Sequence, residues 1–96
     1  MGATSFFHSA TGKTAAEAFN VARDEAAYDH GHAGYTGTVT EKINFVMIPL
    51  PKGKTADQYA NELIDEGDDR IDDKWGPAGC IQVSEGQFLF FGWASS

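Results

Sequence analysis

The run from Gln87 to Ala94, QFLFFGWA, constrains the fold more than any other stretch of the chain. At the two-residue period of a strand, Phe88 and Phe90 fall on one face, and Leu89, Phe91 and Trp93 fall on the other. A strand that is apolar on both faces needs cover on both. It therefore lies centrally under helices, or one of its faces meets a partner.

Two stretches can supply helices. Thr14 and Glu17 form a capping box, in which each side chain satisfies a free amide at a helix start. Ala15, Ala18, Phe19, Ala22 and Ala26 then recur at three- and four-residue steps, giving one apolar stripe. A stop is expected near Gly31, which tolerates the left-handed conformation that closes many helices. Thr55 and Gln58 form a second box, followed by the stripe Ala56, Tyr59, Ala60, Leu63 and Ile64. Gly67 is expected to end or kink that helix, with Ile71 and Trp75 anchoring a last turn before Gly76-Pro77.

Strands fill most of the remainder. Thr4 to Ala10 and Cys80 to Ser84 have strand composition, and Glu85-Gly86 suits a tight turn into the last strand. Thr36 to Leu50 is rich in Thr, Val, Ile and Phe but too long for one strand, so a bend or hairpin is expected between Thr40 and Asn44. The segment GKTA occurs at Gly12 to Ala15 and again at Gly53 to Ala56, each time ahead of a helix. Two related strand–helix–strand halves would give a ferredoxin-like β-α-β-β-α-β plait with an extra C-terminal hairpin strand. In that α+β fold both helices lie on one face of a mainly antiparallel sheet. Gly-Lys-Thr is equally a good loop-to-helix start, and neither copy has the first glycine of a phosphate-binding P-loop.

The 96 residues suit a single domain, 1–96, and 42% apolar with 22% charged residues fits a folded chain. Fourteen acids against seven bases give a net charge of −7, the wrong sign for a binder of phosphate backbones, so nucleic acid is not an expected partner. The lone Cys80 fits a reducing compartment, and no apolar run suits a membrane span or signal peptide. A cytoplasmic setting is expected.

Tyr28 to Lys42, YDHGHAGYTGTVTEK, concentrates functional residue types. Tyr28, His30, His32, Tyr35 and Thr38 could surround a small anionic or nucleotide-like ligand, with Gly31, Gly34 and Gly37 bringing amides close to it. The same glycines could simply shape a turn. His30 and His32, with His8, Asp29 and Cys80, include metal-ligand types but lack the fixed spacing of a zinc site, which leaves metal binding open. Glu41 would point inward as a base if the strand were continuous, and would be solvated if a turn intervened. The acidic run Asp65 to Asp73 lacks EF-hand spacing and suits a solvated face.

The segments ARDEAAYDHGHAGYTGTVTEK (Ala22 to Lys42), KWGPAG (Lys74 to Gly79) and FLFFGWASS (Phe88 to Ser96) resemble a family of small uncharacterised proteins of actinobacterial phages and their hosts. The likeness carries no catalytic residues over to this chain, and no cofactor is expected. It implies a setting, the host cytoplasm, in which short acidic accessory proteins bind and redirect a host or defence protein.

No nucleophile elbow or Ser-His-Asp order is present. The leading reading is thus a non-enzymatic module acting by protein–protein interaction, with Trp75, Phe91 and Trp93 as aromatic anchors. A homodimer through the last strand is a further arrangement. The alternative is a small-ligand binding or sequestering protein that uses the Gly31 to Thr38 loop.

Overall fold

The computed structural model describes residues 2–30 and 36–96, with only the backbone of His30. Their order is β1 (Ala3–Thr11), α1 (Ala15–His30), a 3-10 turn (Val39–Glu41), β2 (Phe45–Met47), α2 (Ala56–Glu66), β3 (Ala78–Ser84) and β4 (Gln87–Ser95). The strands form one mixed sheet in the order β1-β4-β3-β2. β4 pairs antiparallel with both β1 and β3, while β2 runs parallel to β3.

Both helices start where their threonines predict. The Glu17 amide donates to Thr14 Oγ1 at 3.1 Å and the Lys13 amide to Glu17 Oε1 at 3.4 Å, completing the box ahead of α1. Thr55 Oγ1 accepts from the Gln58 amide at 3.1 Å ahead of α2. At the far end of α2, Gly67 adopts φ 67° and ψ 46°, and its amide returns to Ile64 and Leu63 carbonyls. A side chain there would be strained, because a Cβ crowds the backbone in the left-handed region. The stop expected for α1 at Gly31 lies outside the described residues.

The α+β class, the two helices and the mostly antiparallel pairing are as expected, but the ferredoxin-like plait is not. Two strands between the helices were expected, and among the described residues only β2 is there. The physical cause lies in the threonines of the Thr36 to Leu50 run, whose hydroxyls bond the local backbone and compete with a sheet ladder. Thr38 Oγ1 accepts from the Thr40 amide at 3.3 Å, and the Glu41 and Lys42 amides reach the Thr38 and Val39 carbonyls at 3.0 Å each. A bend thus forms between Thr40 and Asn44, without a hairpin.

The helices also lie on opposite faces of the sheet, not on one. Ala18, Ala22 and Ala26 of α1 pack with Phe6 and Ala10 of β1, Phe88 and Phe90 of β4, and Cys80 of β3. Ala56, Ala60 and Leu63 of α2 pack with Ile48, Ile71, Ile81, Leu89 and Phe91. This follows from the two-faced apolar pattern of β4, whose Phe90 and Phe91 are both 0% exposed. Covering such a strand removes large apolar area from water on each side, roughly 1.5–3 kcal/mol per buried phenylalanine.

Candidate functional site

The most exposed tryptophan sits on the turn between α2 and β3. Trp75 is 62% exposed. Its own amide donates to Asp73 Oδ1 at 2.8 Å, and the Gly76 amide donates to the Asp73 carbonyl at 2.9 Å. Asp73 therefore shapes the turn with both its side chain and its carbonyl.

Lys42 fixes this turn from beneath. Its side chain leaves the 3-10 turn and is buried, at 1% exposure. Its ammonium donates to the carbonyls of Asp73 (3.3 Å), Lys74 (3.1 Å) and Gly76 (2.9 Å). An ammonium has three protons, so these carbonyls use its whole donor capacity. Burial pulls its pKa below the ordinary lysine value, and the nearby Asp73 carboxylate opposes that pull. On the outer side, the Lys74 ammonium lies 5.3 Å from the centroid of the Trp75 ring and donates to the Gly2 carbonyl at 3.4 Å. The turn is thus held from two directions while the indole faces outward. Ile43, next in sequence to the pinning lysine, is 81% exposed.

The other expected anchors are placed differently. Phe91 lies in the core under α2, beyond the reach of a partner; a Cβ at Gly79 would meet its ring at 2.6 Å, so that glycine lets the ring cross β3. Trp93 is partly buried against the same cluster. β4 is paired on both edges and so has no free edge for a second copy.

Of the ligand loop, His32 and Tyr35 and the side chain of His30 lie outside the described residues. Tyr28 stands on α1 at 90% exposure. Thr38 caps the 3-10 turn. The Gly37 amide donates to the Ser95 carbonyl at 2.7 Å and is therefore not offered to an anion. Glu41 is neither an inward base on a strand nor merely solvated: its Oε2 accepts from the Thr36 amide at 3.0 Å and from the Thr36 hydroxyl at 2.8 Å.

Cys80 is fully buried, and burial pushes its thiol up to about 12, which holds it in the unreactive protonated form. Among the described residues no cluster of three or more His, Cys, Asp or Glu has metal-binding geometry, and no helix is long and apolar enough to cross a membrane. The acidic run is partly engaged: Arg70 Nε and Nη2 bind Asp68 Oδ1 and Oδ2 at 2.9 and 3.0 Å. These bonds hold the Asp68 carboxyl below its usual range.

Sequence reasoning picked out Trp75 but missed Lys42. Nothing local marks that lysine, because its acceptors lie more than thirty positions further along the chain.

Comparisons with protein-family models, with curated proteins and with solved structures give no significant match. The class is therefore set by the fold itself, a small α+β domain in which the described residues form a mixed four-stranded sheet and two helices.

Proposed function

We propose that the chain is a non-enzymatic binding module that acts by protein–protein interaction, in the manner of a phage-type accessory protein directed at a host or defence component. The observation that carries this reading is Trp75, 62% exposed on a turn that a buried lysine holds in place. A large aromatic presented on an already ordered turn suits an interface anchor, because little ordering remains to be done on binding. The resemblance to small proteins of actinobacterial phages supplies the setting, and the excess of acids argues for a protein partner over nucleic acid.

The test is affinity capture from actinobacterial lysate with the wild type and with Trp75→Ala. A host protein held by the wild type and lost by the variant, with circular dichroism and Tm unchanged, is the expected result. Identical capture by both proteins, or no specific capture, would count against the reading.

A further inference from the structure

The two edges of the sheet are built differently. β2 is three residues long, and Pro49 follows it closely, so its outer edge offers little backbone. β1 is nine residues long and pairs with β4 in unbroken register from Ala3↔Ser95 to Thr11↔Gln87. It contains no proline, lysine or bulge, the usual devices that spoil an edge for further pairing.

The phase of that ladder fixes which groups face outward. Gly2 and Ser96 exchange both bonds, at 3.4 and 3.3 Å, and the Gly12 amide reaches the Gly86 carbonyl at 3.1 Å. Even-numbered residues of β1 therefore bond β4. The N–H and C=O groups of Ala3, Ser5, Phe7, Ser9 and Thr11 point to the outer edge, where no strand among the described residues lies.

Beside this edge runs a groove of about 550 Å³ between β1 and α1, lined by His8, Asp24, Glu25, Tyr28 and Asp29. His8 Nε2 meets Glu25 Oε1 at 2.9 Å across it. Asp24, Glu25, Tyr28 and Asp29 are all exposed. In the next strand of a sheet, alternate side chains would stand on the α1 side, next to these three carboxylates.

We propose that the outer edge of β1 takes up an extended basic segment of a partner protein as a fifth strand, with every second side chain, lysine or arginine, entering the acidic groove along α1. Backbone hydrogen bonds supply the docking and the carboxylates supply the selectivity, as in strand addition generally. Charge selects this occupant over a second copy, because β1-to-β1 pairing would bring two chains of net charge −7 together with their acidic grooves on the same seam. The inference rests on the reading of the chain as a binding module. It uses a different surface from Trp75, so either can fail alone.

The probe is a short capped peptide of alternating lysine and threonine, followed by amide hydrogen exchange in NMR. Exchange slows at Ala3, Ser5, Phe7, Ser9 and Thr11 and not at the even residues, which are already bonded. Asp24→Lys/Asp29→Lys weakens binding about tenfold or more. Ser9→Pro removes one outward N–H without touching the β4 ladder and also weakens binding. Should Ser9→Pro fail to fold, a peptide N-methylated on its β1-facing residues makes the same test on the wild-type protein and loses binding. The proposal is overturned by equal binding of a glutamate–threonine peptide, by undiminished binding of the N-methylated peptide, or by unchanged exchange at the odd residues. Odd-residue protection that rises with protein concentration alone would overturn it in favour of a second copy.

Discussion

The two faces of the sheet solve the same covering problem with opposite materials. On the α1 face the helix contributes small residues, Ala18, Ala22 and Ala26, and the bulk comes from the sheet side and one helical ring. Phe19, Phe45 and Phe90 form an aromatic cluster there with centroids 5.0, 5.3 and 5.7 Å apart. On the α2 face the helix brings Leu63, and the aliphatic side chains of Ile48, Ile71, Ile81 and Leu89 pack with it around the single buried ring of Phe91. The α1 face thus closes on packed rings set against small helical residues, whereas the α2 face closes mainly on aliphatic side chains and takes in Ile71 from the loop that also carries Trp75. The two faces therefore differ in the chemistry of their filling, and the loop that closes the α2 face also presents the exposed Trp75.

Phe90→Ala breaks the comparison hardest. It removes the ring shared by two aromatic contacts and should cost about 4 kcal/mol, with α1 amides losing exchange protection before those of α2. Leu63→Ala is the counterpart on the other face and should cost about 3 kcal/mol, with the order of protection loss reversed. Lys42→Met leaves the carbonyls of the Trp75 turn without their donor and should cost about 2 kcal/mol in urea unfolding. Because the loss is local, Trp75 emission should shift in the folded variant.

Smaller effects sharpen the contrast. Gly67→Ala puts a Cβ at φ 67° and should destabilise by about 1 kcal/mol. The folded pKa of Asp68 lies below the ordinary 3.8, so its pairing with Arg70 favours folding above that value and the benefit disappears as pH falls through the lower folded value. The pair is partly exposed and screened, so Asp68→Asn should change stability at neutral pH by only about 0.5 kcal/mol and remove that part of the acid dependence.

The parts legible in the sequence were those coded by neighbours in the chain. The threonine caps, the Gly67 stop, the Glu85-Gly86 turn and the two-faced last strand all rest on residues within a few positions of each other. Strand order was not legible in this way. The β propensity of Thr36 to Leu50 was real, but hydroxyl bonds from Thr36 and Thr38 and the Glu41 carboxylate diverted most of it into a turn. That loss of a strand changed the topology. The two-sided pattern of β4 already allowed helices on both faces, yet the repeated GKTA favoured a symmetric plait that placed them together. Of the site, Trp75 was visible as an aromatic in a loop, but the lysine beneath it had no local signature.

The ladder between β1 and β4 has a consequence for how the molecule is made. Thr11 cannot pair until Gln87 has been synthesised, nor Ala3 until Ser95 has. Contacts this far apart in sequence are slow to form, because a long loop must close before any reward arrives. While it leaves the ribosome, β1 has neither its bonding partner nor the phenylalanines that roof it, and α1 has only part of its floor. Until β4 is present neither β1 nor β3 has its antiparallel partner, so a single strand completes both ladders and both roofs of the sheet together.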